Sequence, residues 1–261
     1  MTALMVACRR KQLAAIVKLL ASSTASTLNA QSAEGCSALH LAAEEGAEPI
    51  VQLLLTQGAD AALADSDGST ALMQASLFGH EQVARVLLEA SAVVSAQDND
   101  GRTALMLAAR NGHEQVARVL LEAGAVVGAQ TNAGWTALMI AAKKGHEQVA
   151  RVLLEAGASL QVVSIDNFTM LMAASLGGLT TVLECVLPES DIDAAVVASH
   201  VTEAGYTALM YAAGAGRLHC VQGLLGAGAR KELQTATGKT ALGLAHDSGH
   251  TVICDLLGGA P

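Results

Sequence analysis

The sequence predicts an all-α fold made of about eight stacked helix pairs, and three observations predict it. The segment GHEQVARVLLEA occurs three times, beginning at Gly79, Gly112 and Gly145, a period of 33 residues. Within one period, apolar residues fall at helical spacing twice: Leu105, Ala108 and Ala109, then Val116, Val119 and Leu120. Finally, 52% of the residues are hydrophobic but only 2% are aromatic. Alanine, leucine and valine must therefore form the interior, and such small side chains let helices approach closely.

The register extends outward from the three near-identical copies through a short opening phrase: SALH at 37–40, TALM at 70–73, 103–106 and 136–139, TMLM at 169–172, TALM at 207–210 and TALG at 240–243. Thr2 to Met5 opens a first copy. The copies run over 1–34, 35–67, 68–100, 101–133, 134–166, 167–204, 205–237 and 238–261, read as a single domain over 1–261.

Each copy repeats the same local logic. In the fourth, Thr103 is placed to cap the first helix, and Gly112 breaks the chain between the two helices. Gly124 suits the left-handed position that ends the second. Asp98-Asn99-Asp100-Gly101 supplies the tight, hairpin-like turn that leads into this pair. One pair cannot bury its own apolar stripe, so neighbours must stack, and stability becomes roughly a sum of nearest-neighbour terms.

These residues resemble the ankyrin repeat family, with its 33-residue period, its T-P-L-H-x-A-A opening, its G-H turn and its L-L-x-x-G-A ending. The resemblance covers essentially the whole chain and implies an ankyrin-type repeat solenoid with atypical ends. Alanine stands for the family's proline at Ala71, Ala104 and Ala137. Methionine stands for its histidine at Met73, Met106, Met139, Met172 and Met210, while His40 keeps it. In the family that histidine ties adjacent repeats by polar contacts, so thioether packing has to substitute in most copies. The hairpin asparagine survives only as Asn29, with Ala62, Ser95 and Gly128 at its place in later copies. The copy from Asn167 is longer, because Pro188 is expected to stop its second helix ahead of a loop over 189–203. The first copy carries a short insertion near 21–27.

Composition excludes several functional classes. No apolar run reaches the ~18 residues of a membrane span, and the apolar start precedes its basic cluster, the reverse of a signal peptide. Five scattered cysteines, Cys8, Cys36, Cys185, Cys220 and Cys254, form no C-x-x-C pair and read as reduced, mostly buried thiols in a cytoplasmic or nuclear protein. A net charge of −9 opposes broad nucleic-acid or anionic-membrane binding.

His80, His113, His146 and His250 recur once per copy. Residues so placed lie roughly 8 to 10 Å apart, whereas zinc needs nitrogens near ~2 Å from one ion. They read as structural turn residues. The i,i+4 sets Glu81/Arg85, Glu114/Arg118 and Glu147/Arg151 read as a solvated helix face. No phosphate-loop, dinucleotide or nucleophile-elbow motif occurs, and no cofactor, metal or catalytic residue is assigned.

What varies between copies is more informative. One row follows the turn glycine: Arg102, Trp135, Phe168 and Tyr206. Another ends the first helix: Phe78, Arg110, Asn111, Lys143, Lys144 and Leu176. Four of the five aromatic residues lie in these rows rather than in the core. In the family, hairpin tips and inner-helix surfaces line the concave face that contacts partners. The resemblance thus implies a monomeric, non-enzymatic scaffold or adaptor that binds another protein through these ten residues. Arg102, Arg110, Lys143 and Lys144 form a basic island suited to an acidic or phosphorylated segment. The alternative is a regulatory or substrate-targeting segment of a larger enzyme, such as a kinase or ubiquitin-ligase subunit.

Overall fold

A computed structural model describes residues 2–21, 25–187 and 200–258. It resolves into two compact units, 1–132 and 133–261. In the first, helix pairs α1 (Ala3–Arg9) and α2 (Leu13–Leu20), α4 (Ala38–Glu44) and α5 (Glu48–Thr56), α6 (Ala71–Phe78) and α7 (Glu81–Glu89), and α8 (Ala104–Asn111) and α9 (Glu114–Glu122) follow one another. A single turn of helix, α3 (Ala25–Leu28), occupies the expected insertion. The second unit has α10 (Ala137–Lys144) and α11 (Glu147–Glu155), α12 (Met170–Gly177) and α13 (Thr180–Val186), α14 (Ala208–Gly214) and α15 (Leu218–Gly226), and α16 (Ala241–Asp247) and α17 (Thr251–Gly258). Pro188 and the expected loop up to residue 199 lie outside the described residues.

The helices begin and end as the residue types dictate. Thr70, Thr103, Thr136, Thr169 and Thr207 each accept the amide of the third residue of the helix that follows. Gly79, Gly112, Gly145 and Gly178 end α6, α8, α10 and α12 in the left-handed region. Helices of seven to nine residues are marginal alone, so packing must hold them. In each unit, first helices stack on first helices: α1, α4, α6 and α8 in order, then α10, α12, α14 and α16. Second helices stack likewise, α5 on α7 on α9, and α13 on α15 on α17. Leu72, Leu105 and Leu138 fill the seams with alanines such as Ala75, Ala108 and Ala141, all of them buried.

The turns are ladders of their own. Asp65 Oδ1 accepts the amide of Ser69 and Asp98 Oδ1 that of Arg102; Ser164 Oγ accepts that of Phe168 and Thr202 Oγ1 that of Tyr206. Neighbouring turns are joined by backbone bonds, Asn99 N to Asp67 O and Asn132 N to Asp100 O in the first unit, Ile165 N to Ala133 O in the second. Asn29, the surviving hairpin asparagine, accepts the amide of Asp60 at 2.9 Å.

The recurring histidines are structural, as expected. His80 Nε2 donates to the Glu44 carbonyl at 2.8 Å and His113 Nε2 to that of Leu77 at 3.0 Å. Each ring lies over a left-handed glycine of the preceding copy, Gly46 and Gly79, where an added Cβ would meet it at 2.5 Å. The i,i+4 pairs Arg85–Glu81 and Arg118–Glu114, both at 3.0 Å, sit on a half-exposed face. All five cysteines are free, but only Cys8 and Cys220 are buried; Cys36 and Cys254 are half-buried and Cys185 is exposed. Burial pushes the Cys8 thiol up to about 12.

His40 is the one buried histidine. Its Nε2 donates to the Ser69 carbonyl at 3.0 Å and its Nδ1 accepts from Ser37, the inter-repeat tie that the family resemblance implied. Elsewhere the methionines take the place. Met210 Sδ accepts the Thr207 amide at 3.4 Å, a weak bond, while Met73, Met106, Met139 and Met172 are buried. Burial holds the His40 imidazole below the usual histidine value, outweighing the raising effects of the Ser69 carbonyl and Asp65. The unfolded chain therefore takes a proton first as pH falls. Stability is expected to be level above about pH 6.5 and to decline below it. In urea titrations between pH 7 and 5, His40→Met should flatten that decline; an unchanged slope would rule out His40 as its origin.

One buried polar atom has no partner among the described residues, the hydroxyl of Ser175. Its counterpart Ser76 donates to the Leu72 carbonyl at 2.7 Å, and the same place holds Ala109 and Ala142 in the intervening copies. Ser175→Ala is expected to raise stability by about 1 kcal/mol, because an unsatisfied buried hydroxyl carries its desolvation cost unreturned. A lowered urea midpoint would contradict this.

Candidate functional site

The ten expected contact residues divide between the units. Phe78, Arg102, Arg110 and Asn111 belong to the first; Trp135, Lys143, Lys144, Phe168, Leu176 and Tyr206 belong to the second. In the first unit Phe78, Arg102 and Asn111 each engage neighbours of their own. Phe78 is 46% exposed and stacks on His80, with centroids 6.4 Å apart. Asn111 Nδ2 donates to the Leu107 carbonyl. Arg102 holds Asp98 at 2.6 Å and Asp100 at 3.2 Å, so its charge is already matched by two carboxylates. The sequence placed Arg102 in a basic island; in the structure the aspartates of its own turn are its partners.

In the second unit the residues do converge. Trp135 and Phe168, one turn apart in the stack, lie with ring centroids at 4.9 Å. Phe168 meets Tyr211 at 5.1 Å, and Tyr211 stacks on Tyr206 at 5.3 Å. Tyr211, on the first turn of α14, is the aromatic residue that the sequence rows omitted, and it joins the cluster. Phe168 itself is buried, 7% exposed, against the expectation that tip residues are open. The cause is packing between copies: Trp135 from the preceding copy and Tyr211 from the following one lie against the ring. Asn167 before it takes the same left-handed conformation, φ 58°, that glycine holds in the other turns. The cluster is thus partly cohesive, with Trp135, Tyr206 and Tyr211 half-buried at its edge.

A cleft of about 410 Å³ opens on this edge, lined by Trp135, Phe168, Tyr211, Lys143 and Leu176 and by Asp166 and the 202–204 turn. The Lys143 ammonium lies 4.6 Å from the Trp135 centroid and 5.8 Å from that of Phe168. Burial, helped by neighbouring Lys144, holds its pKa below the ordinary lysine value. Burial pushes the Tyr211 phenol up. Among the described residues Lys143 forms no ion pair, and neither does Asp166 or Glu203, although all three line the same cleft. No group of three metal-binding side chains occurs among the described residues, and no helix there is long and apolar enough to cross a membrane.

The arrangement is one of stacked helix pairs, with an aromatic cleft in the second unit. A profile of three ankyrin repeats matches the chain at 1–65, 51–131, 91–164, 125–197 and 170–260. The chain belongs to the ankyrin repeat family. No curated protein matches it. Repeats of this family serve generally as protein–protein interaction modules.

Proposed function

We propose that this chain is a non-enzymatic scaffold or adaptor, acting in the cytoplasm or nucleus, that holds a segment of a partner protein in the aromatic cleft of its second unit. The observation that carries the reading is the gathering of four of the five aromatic residues into one cluster, of which Trp135, Phe168 and Tyr211 line a half-open cleft and Tyr206 stacks behind Tyr211, in a chain whose core otherwise uses aliphatic side chains. Half-buried aromatics beside a cleft are the side chains on which binding energy concentrates, with truncation commonly costing about 2 kcal/mol.

The test is affinity capture with the full chain. Proteins recovered by the wild type should be lost with Trp135→Ala, about thirtyfold weaker for a ~2 kcal/mol contact, while far-ultraviolet dichroism stays unchanged. Capture that survives the substitution would remove the cleft from the reading.

A further inference from the structure

The side chain already lying on the aromatic faces says what the cleft prefers. Lys143 places an ammonium over Trp135 and Phe168 although no carboxylate is within ion-pairing distance of it among the described residues. Aromatic faces carry negative electrostatic potential and attract cations. Asp166 and Glu203 line the same cleft, are exposed, and are not committed to any ion pair among the described residues. The lining therefore offers π faces and two uncommitted carboxylates, against a single ammonium on a flexible, exposed side chain.

We propose that the cleft receives an arginine side chain presented by the partner protein. The incoming guanidinium displaces the Lys143 ammonium from the rings and meets Asp166 and Glu203 at the rim. This rests on the reading of the cleft as the partner site. Displacement is favourable for two reasons. A guanidinium is planar and weakly hydrated, so it gives up less water than an ammonium on entering and stacks better on an aromatic face. Lys143, once released, regains full hydration, and the two acidic side chains acquire a counter-charge. Lys143 then acts as an internal placeholder that keeps the cleft filled until a better cation arrives.

Trp135 is the single tryptophan of the chain and lines the cleft, so its fluorescence reports on what enters there. The full chain would be titrated with a short capped peptide carrying two arginines among alanines, and with versions bearing lysine, citrulline or glutamate at those places. The arginine peptide should shift Trp135 emission saturably, the lysine version more weakly, and the citrulline and glutamate versions not at all. Lys143→Ala should tighten arginine-peptide binding about threefold by removing the resident cation. Asp166→Asn with Glu203→Gln should weaken it several-fold. All three positions are exposed, so unchanged dichroism serves as the folding control.

Opposite signs separate the alternatives. If the glutamate peptide binds and Lys143→Ala abolishes it, the partner is anionic: the inference is overturned and the cleft stands as a partner site. If no peptide moves Trp135 while capture of proteins still depends on Trp135, the inference again fails and the scaffold reading survives. If capture is also indifferent to Trp135→Ala, both fail.

Discussion

Gly177→Ala should lower the stability of the second unit by about 3 kcal/mol, the upper range for overpacking. Gly177 is the last residue of α12 and has ordinary helical geometry, so propensity alone favours alanine by up to ~1 kcal/mol. Packing reverses that sign. A Cβ at Gly177 would run into the carbonyl oxygen of Ala142 and come within 2.9 Å of the Gly145 amide nitrogen. Both obstacles are backbone, which cannot rotate away, so α12 would have to retreat from α10. Gly226, the last residue of α15, is the control: an added Cβ there meets nothing within 4 Å, and Gly226→Ala should be neutral or mildly stabilising. Urea unfolding followed by dichroism reads both. If Gly177→Ala behaves like Gly226→Ala, the two helix ends do not approach as closely as described.

The second large effect separates two phenylalanines that the sequence treated alike as contact residues. Phe168→Ala should cost about 3 kcal/mol, the low end for a buried aromatic, since one side of the ring borders a cleft. The loss includes contacts to Trp135 and Tyr211, and the Lys143 ammonium loses one of its two faces. Trp135 emission should shift red as water reaches the exposed ring. Phe78→Ala, at a residue 46% exposed, should change stability by less than about 0.5 kcal/mol. Equal losses at the two positions would show that the enclosure of Phe168 is not what holds it.

The contrast shows why the fold was more legible than the site. A period of 33 residues constrains every copy at once: Thr70, Thr103, Thr136 and Thr169 are the same cap four times over, and the histidines at 80 and 113 repeat one hydrogen bond. Redundancy of that kind survives local irregularity. The cleft depends on single events. Phe168 is enclosed because Trp135 and Tyr211, from the copies on either side, both lie against its ring. Tyr211 stands where the other copies hold Gln74, Leu107, Ile140 and Ala173, a row whose variability could have revealed it but which looks like an ordinary core stripe. Arg102 carries a charge in the sequence that its neighbours Asp98 and Asp100 cancel in space. Asp166 and Glu203 read as turn residues until the cleft gives them a common opening.

The row of methionines at the former histidine place has a consequence for oxidative chemistry. Met5, Met73, Met106, Met139, Met172 and Met210 are each at most 2% exposed, so peroxide reaches a given sulfur only when its own helix pair opens. Sulfoxide formation adds a polar oxygen that the closed seam cannot accommodate. The chain thus carries a buried thioether at this same place in six copies, and the relative rates of oxidation at these six positions would rank the local opening free energies of the copies.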